Sequence, residues 1–281
     1  MRSSSGEASN SGSASILERI FAAKRAELDA LRTAAPLESI VEAARRAPPP
    51  RDFLAALRAR RPAIIAEIKR ASPSKGDILP NLDPTDVARD YQSAGAAAIS
   101  ILTDRHFKGS LEDLKVVRAA VHLPLLRKDF IFDPYQVYES RAAGADGVLL
   151  IAAMLKERDL GALYTLARRL GLQVLVEVHN EDELGFAERA GAEIVGINNR
   201  DLHSFTTDLA LSERLLRNYN GGSLIVSESG IDTPVDIRRL HRAGARAFLV
   251  GESLLRGGEP RRRLGELCAA LKDVDATAAT D

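Results

Sequence analysis

Residues 143–151 read AGADGVLLI, and this stretch joins the end of a helix to a buried strand. The tripeptide Ala-Gly-Ala occurs four times, at 94–96, 143–145, 190–192 and 243–245, each time directly before a short apolar run. Glycine adopts the left-handed conformation that ends a helix, and the alanine after it lets the chain turn tightly into a strand. Successive glycines of the repeat are 49, 47 and 53 residues apart, so each interval holds about two strand–helix units.

Eight apolar runs surround these repeats, and charged helical stretches such as 156–170 and 233–242 separate them. The runs are 63–68, 97–102, 123–127, 146–151, 173–178, 193–197, 223–227 and 246–250. Strands that alternate with helices form a parallel sheet, and eight of them close a barrel. The alternative is an open doubly wound sheet, which more usually has six strands and a G-x-G-x-x-G turn after the first. That turn is absent, so the sequence predicts an α/β fold: a single (β/α)₈ TIM barrel.

An N-terminal helical extension is expected before the first strand. Residues 16–33 show an amphipathic pattern, and a second helix is predicted over 37–46, ahead of three prolines at 48–50. Neither segment carries a catalytic motif, so we expect the extension (16–61) to pack against a barrel that ends near residue 272. The Ser/Gly-rich residues 1–15 and the tail 273–281 are predicted to be disordered.

Composition excludes several classes of function. The 281 residues are 45% hydrophobic, and 39 acidic side chains balance 39 basic ones, which argues against a nucleic-acid partner. A single cysteine excludes a disulfide framework, and the five histidines lack metal-ligand spacing, so no metal is expected. No apolar run approaches the ~20 residues of a membrane span, and the N-terminus is not a secretory signal. We therefore expect a cytoplasmic protein with no membrane partner.

Ionisable residues lie at most of the predicted strand ends, where barrel enzymes place their active sites. Glu67 and Lys69 share one side of the first strand, and Lys128 ends the third. Only eight of the 39 basic residues are lysines, and lysine, unlike arginine, can transfer a proton when desolvated. We interpret the two lysines as proton-transfer groups; a structural Glu67–Lys69 salt bridge is the alternative.

A further glutamate and two turns of small residues complete the predicted site at the C-terminal ends of the strands, which we call the mouth of the barrel. Glu177 is flanked by valines, which predicts a raised pKa, although a barrel-layer glutamate bridged to a lysine is the alternative. Segments 229–231 and 251–253 follow the seventh and eighth strands, where backbone N–H groups can hold a phosphate. Phe107 and Phe130 follow the second and third strands and are expected to form a wall for an aromatic ring.

The segment IIAEIKRASPSKG (64–76) resembles the signature of indole-3-glycerol phosphate synthases. Further segments resemble that family in the same order: ILTDRHFKGSLEDL (101–114), LLRKDFIFDPYQVYESRAAGADGVLLI (125–151), LVEVHNEDEL (175–184), VGINNRDL (195–202), VSESGI (226–231) and FLVGESLL (248–255). The resemblance covers about 16–272. It implies ring closure of 1-(2-carboxyphenylamino)-1-deoxyribulose 5-phosphate to indole-3-glycerol phosphate, with loss of carbon dioxide and water and without a cofactor.

The same resemblance implies residue roles. Lys128 would be a general acid, and Glu177, Lys69 and Glu67 would manage later proton transfers, although the division of acid and base roles stays open. Other residues would orient or bind the substrate and its phosphate: Asn198, Ser229, Arg200, Glu228, Ser72, Gly230, Gly251 and Ser253. Glu252, next to the phosphate, is expected to point away, and Lys75 to lie on a mobile first loop.

Two other functions remain as alternatives. Another phosphosugar barrel, such as phosphoribosylanthranilate isomerase, would share the phosphate site but would not need Lys128 or the Glu67–Lys69 pair. A catalytically silent binding barrel would have lost mouth residues. A phosphorylated small molecule is the expected partner, and the chain is expected to be a monomer or a weak homodimer.

Overall fold

The computed structural model describes residues 16–72, 76–79, 81–201 and 204–271. In these ranges eight parallel strands form a closed barrel, in which each strand pairs with the next in the chain and β8 pairs with β1. The strands are β1 (Ala63–Ile68), β2 (Ala98–Leu102), β3 (Leu125–Lys128), β4 (Gly147–Ile151), β5 (Gln173–Val178), β6 (Ile194–Asn198), β7 (Leu224–Glu228) and β8 (Ala247–Val250). The predicted TIM barrel is confirmed, and the open sheet is excluded.

Twelve helices are present in the described ranges, three before β1 and most of the others around the barrel. They are α1 (Ile16–Ala34), α2 (Leu37–Arg46), α3 (Phe53–Arg58), α4 (Pro84–Ala94), α5 (Leu111–Ala120), α6 (Pro134–Ala142), α7 (Glu157–Arg169), α8 (Glu181–Arg189), α9 (Ala210–Leu216), α10 (Pro234–Ala243), α11 (Glu252–Leu255) and α12 (Pro260–Cys268). The four repeat glycines have φ angles between 75° and 122°, as helix-ending positions require.

The barrel has an inner and an outer apolar layer. The outer layer lies between the strands and the surrounding helices. The inner layer fills the barrel axis, and α3 adds Phe53, Leu54 and Leu57 to it beside Ala63 and Ile65 of β1. Helix α3 was not predicted from the sequence. It closes the end of the barrel at which the strands begin, so the strand C-termini form the open end.

Helix α1 lies over the loop that follows β3. Arg32 donates two hydrogen bonds to Asp133, the N-cap of α6, at 2.8 and 2.9 Å. The hydroxyl of Tyr135 donates to the carbonyl of Ala35, and the rings of Phe21 and Phe132 are 4.7 Å apart. The extension is therefore held against the mouth of the barrel.

Some expectations concern residues outside the described ranges: the two tails (1–15 and 273–281) and the mobile loop position Lys75. In the described part of the chain, every helix is too short or too polar to cross a bilayer.

Candidate active site

A cavity of about 310 Å³ opens at the C-terminal ends of the strands. All of the candidate site residues named from the sequence line it, although they come from segments spread over nearly two hundred positions. They are Glu67, Lys69, Ser72, Phe107, Lys128, Phe130, Glu177, Asn198, Arg200, Glu228, Ser229, Gly230, Gly251 and Ser253. Barrel closure thus brings them together at one mouth.

Strand register sets the heights of the inward-pointing groups. Glu177 of β5 is paired with Gly196 of β6, and Asn198 is paired with Glu228 of β7. Side chains alternate between the two faces of a strand, so Gly196 and Asn198 point to the same side. The polar groups therefore form a layer above the apolar inner core.

Glu67 and Lys69 form an ion pair at the end of β1, with Nζ 2.8 Å from Oε1. Both side chains are mostly buried and face the cavity. Gly251 leaves room for this pair, because a Cβ atom there would lie 2.5 Å from Glu67 Oε1 and 3.0 Å from Glu67 Cβ. The glycine predicted to hold phosphate is thus also required by the carboxylate opposite it.

Lys128 lies between two buried carboxylates. Its Nζ is 3.5 Å from Glu177 Oε2 and 3.7 Å from Glu228 Oε2. Burial favours the neutral amine, but Glu177, Glu228 and Glu67 outweigh it and raise the pKa of Lys128 above its usual range. The lysine is therefore charged at neutral pH and has a proton to give.

The sequence-based prediction that Glu177 has a raised pKa is wrong. Burial acts in the expected direction, but Lys128, His179 and a hydrogen bond from Asn198 outweigh it and hold the pKa at about 2. The Asn198 side-chain amide donates to Glu177 Oε1 at 3.1 Å. The flanking valines are visible in the sequence, whereas the two cations come from β3 and from the residue that follows β5. Glu177 is a carboxylate at neutral pH.

His179 was missed by sequence reasoning. Its Nε2 is 3.4 Å from Glu177 Oε1, and its Nδ1 is 3.1 Å from Glu183 Oε2. Burial lowers the pKa of His179, but the two carboxylates more than compensate and raise it to about 10. The sequence did contain a signal: His179 is two residues after Glu177, so the two side chains point to the same side of the strand.

Glu228 differs from Glu177 although the two are neighbours. It is almost fully buried, and neither carboxyl oxygen has a hydrogen-bond partner among the described residues. Burial and the charge of Glu177 raise its pKa to about 8, against the opposing effect of Lys128. A Cβ atom on Gly196 would overlap Glu228 Oε1, so that glycine makes room for the carboxyl group. Glu228 therefore keeps its proton to a higher pH than an ordinary glutamate does.

Asn198 and Ser229 are linked by a hydrogen bond. The Ser229 hydroxyl donates to Asn198 Oδ1 at 2.8 Å, and the backbone N–H of Arg200 donates to the same atom at 3.1 Å. Ser229 has a φ of 64°, which is uncommon for a residue with a side chain and typical of functional loops. Asn198 is thereby fixed with its amide towards Glu177.

The turns predicted to bind phosphate follow β7 and β8 and line the cavity. The Ser253 hydroxyl donates to the carbonyl of Ile231 at 2.8 Å, which ties the loop after β8 to the loop after β7. Glu252 was expected to point away from the phosphate. It is one of the residues that line the cavity, and Arg256 binds its carboxylate at 2.8 Å while Arg200 approaches to 4.0 Å. Pairing with arginine offsets the charge that seemed unsuited to a phosphate site.

Apolar groups form the remaining wall. The ring centroids of Phe107 and Phe130 are 6.5 Å apart, and Leu102 and Ile151 lie beside them in the cavity lining. Ile20 of α1 also lines the cavity, so the extension contributes to the site. Sequence reasoning missed this because nothing local in an amphipathic helix shows which surface it covers. In the described ranges, no group of three or more His, Cys, Asp or Glu residues is arranged to hold a metal ion.

Known proteins match this chain over almost all of its length. Synthases of indole-3-glycerol phosphate from Roseiflexus sp. (strain RS-1) and Chromobacterium violaceum are 53% and 48% identical to it, over 262 and 257 residues. Each alignment covers 90% of this chain and 97% of the relative. Among solved structures, a thiamine phosphate pyrophosphorylase from Pyrococcus furiosus superposes with a TM-score of 0.57 at 17% identity. The superposition covers 76% of this chain and 96% of the pyrophosphorylase chain, and at this identity it supports only the assignment of the fold. The family model for indole-3-glycerol phosphate synthase matches residues 17–267, and the chain belongs to that family.

Proposed function

We propose that this chain is an indole-3-glycerol phosphate synthase that converts 1-(2-carboxyphenylamino)-1-deoxyribulose 5-phosphate to indole-3-glycerol phosphate, carbon dioxide and water. The observation that carries the proposal is the composition of one cavity. Two mostly buried lysines and three buried glutamates line it, together with an aromatic wall and the glycine turns after β7 and β8. Such a cavity matches a substrate with an aromatic ring at one end and a phosphate at the other.

Ring closure requires a proton donor at the ribulose carbonyl. As the ring carbon that bears the carboxylate attacks the carbonyl carbon, the carbonyl oxygen takes up a proton and becomes a hydroxyl. Lys128 is assigned this role because it is charged, buried and part of the cavity lining. Loss of carbon dioxide then returns the electron pair to the ring and restores its aromaticity.

Dehydration completes the indole. The hydroxyl leaves as water after a second proton transfer, and a base removes a proton from the adjacent ribulose carbon. The Glu67–Lys69 pair is assigned to these steps, because at 2.8 Å it can exchange a proton internally. Glu177 is ionised and acts as a base or as an anchor, whereas neutral Glu228 can donate a hydrogen bond to a substrate oxygen.

The remaining site residues are assigned to binding. Asn198 and Ser229 orient substrate hydroxyls or the anthranilate carboxylate, and Arg200 lies beside them. Phosphate is assigned to the turns with Gly230, Gly251 and Ser253 and to Ser72, which lines the same cavity. We further propose that the enzyme is cytoplasmic, needs no cofactor and is a monomer or weak homodimer.

The test is an assay on the purified chain. Product formation is followed by indole absorbance and confirmed by mass, which shows the loss of carbon dioxide and water. The same protein is offered phosphoribosylanthranilate as a control. Turnover of that compound alone would favour the isomerase, and no turnover of either by folded protein would favour a binding barrel.

A further inference from the structure

Helix α1 carries a buried lysine that bridges two loops at the mouth of the barrel. Lys24 is only 5% exposed, and its Nζ lies 2.8 Å from Asp129 Oδ1 and 3.0 Å from Asp104 Oδ2. A third carboxylate, Glu27 of the same helix, is 3.3 Å away. A buried ammonium group is expensive unless it is closely paired. The position therefore depends on both aspartates, which belong to different βα loops.

Asp104 organises the loop after β2. Its Oδ1 accepts the backbone N–H of His106 at 2.7 Å and lies 2.8 Å from the Nδ1 atom of that residue. These contacts start the short turn Arg105–Phe107, which ends in an aromatic residue of the cavity wall. The other carboxylate oxygen of Asp104 faces Lys24.

Asp129 organises the loop after β3 in a similar way. Its Oδ1 accepts the backbone N–H of Phe130 at 2.8 Å, and its Oδ2 accepts from Thr103 at 2.6 Å and Arg127 at 3.0 Å. Phe130 is the second aromatic residue of the wall, and Lys128 directly precedes Asp129. One ammonium group thus contacts the two carboxylates that set the backbone on either side of the wall.

We propose that Lys24 is a positioning residue for the aromatic end of the substrate site: by bridging Asp104 and Asp129, it holds Phe107 and Phe130 at the separation that accepts the anthranilate ring. The inference rests on the proposed function only for the identity of that ring. Ile20, one turn earlier on α1, lines the same cavity, so the helix covers the ring end and also fixes its wall.

The charges around Lys24 support this arrangement. Burial opposes ionisation of Lys24, but Asp129 and Asp104 outweigh it and raise its pKa, so the bridge is charged at neutral pH. Burial likewise opposes ionisation of Asp129, yet Arg127 and Lys24 hold its pKa at about 2. Without Lys24, two buried carboxylates would face each other with one cation fewer, and their repulsion would separate the loops.

Removal of the Lys24 bridge is expected to weaken substrate binding more than it slows the chemical step. The wall touches the aromatic ring in the bound substrate and in the transition state alike, and loss of such uniform binding raises KM with little change in kcat. We therefore expect Lys24→Met to raise KM by about tenfold or more and to lower kcat by less than about threefold. Lys24→Arg keeps the charge and should recover much of that loss.

Arg32→Met is the matched control. Arg32 also ties α1 to the barrel, but it binds Asp133 where the loop after β3 meets α6, and its hydrogen bonds go to neither Asp104 nor Asp129. If Lys24 merely docked the helix, both methionine variants would behave alike. We expect Arg32→Met to keep the KM of the parent.

Two simple inhibitors separate the ends of the site. Anthranilate probes the ring end and inorganic phosphate the opposite end. Lys24→Met should weaken inhibition by anthranilate by about tenfold and leave inhibition by phosphate unchanged, with folding verified by circular dichroism. Equal losses for both inhibitors, or an unchanged KM, would overturn the positioning role and leave the proposed function standing.

A second variant keeps the test decisive if Lys24→Met does not fold. Asp104→Asn retains the cap oxygen of the turn but removes one carboxylate of the bridge, and it should raise the same KM several-fold. An unchanged KM in folded Asp104→Asn would contradict the proposal. Failure of the parent protein to form any product would instead contradict the proposed function.

Discussion

The three buried glutamates of the cavity share a residue type and a depth of burial, yet their surroundings make them different chemical groups. Glu177 has two cations and an amide around it, which lower its pKa, whereas Glu228 has no hydrogen-bond partner in the described ranges and its pKa is raised by burial and by the charge of Glu177. Glu67 is paired with Lys69 at 2.8 Å. One layer of the barrel thus holds a glutamate with a lowered pKa, a glutamate with a raised pKa and an ion pair.

Lys128 provides the sharpest residue-level prediction. Arginine keeps the charge but does not release a proton near neutral pH, so Lys128→Arg should lower kcat at least about 10²-fold if Lys128 is the general acid. Lys128→Met removes both charge and proton and should be at least as inactive. Both are measured at saturating substrate. An active Lys128→Arg beside an inactive Lys128→Met would show that only the charge matters.

Gly196 is predicted to matter through the space it leaves. A Cβ atom there would overlap Glu228 Oε1 and lie 3.1 Å from Leu175 Cδ1, so Gly196→Ala must displace the carboxyl group. We expect kcat/KM to fall at least about tenfold, because small displacements of reacting groups are costly. Gly161→Ala is the control. That helical glycine has open space around it, and alanine there should stabilise the protein by up to about 1 kcal/mol without affecting turnover.

Helices α1 and α3 both belong to the extension, but they cover opposite ends of the barrel. Leu57 of α3 is only 1% exposed and packs into the inner core. Leu57→Ala should lower the free energy of unfolding by about 2–5 kcal/mol, as cavity-forming substitutions do, and leave kcat and KM close to those of the parent. Urea denaturation and steady-state kinetics measure both. Arg58→Ala, on the exposed side of α3, should stay within about 0.5 kcal/mol.

Sequence reasoning predicted the strands more reliably than the contacts between distant elements. The parallel strands are buried on both faces, so they appear as continuous apolar runs, and the repeat glycines mark where alternate strands begin. Helix α3 escaped prediction because its six residues are too few to show a period. Lys24 escaped because its partners lie 80 and 105 positions away, and no local pattern indicates such a contact.

The stability of the whole molecule should depend on pH in a direction set by these buried groups. The raised pKa values of Glu228, about 8, and His179, about 10, mean that the folded state holds protons that the unfolded state has released. Stability is therefore lost as pH rises, from about 4.5 to 8 for Glu228 and from about 6.5 to 10 for His179. Glu177 acts oppositely, and its contribution is lost as pH falls from about 4.5 to 2.

The contribution of His179 to the pH dependence of stability can be measured with a single variant. His179→Gln removes the group whose raised pKa is the higher of the two, so its free energy of unfolding should change less than that of the parent between about pH 8 and 10. One proton contributes at most about 1.4 kcal/mol per pH unit. Urea denaturation across this range measures the slope. Equal slopes in the two proteins would show that His179 does not hold its proton there.

Helix α3 and the filled inner core close one end of the barrel, and this limits the route by which substrate and product can move. Since side chains occupy the axis beneath the cavity, substrate enters and products leave through the mouth that α1 overhangs. Indole-3-glycerol phosphate must therefore leave through this opening before the next substrate molecule can enter. Added product should accordingly act as a purely competitive inhibitor that raises the apparent KM and leaves kcat unchanged. A noncompetitive pattern would show that the product also binds enzyme whose cavity is already occupied.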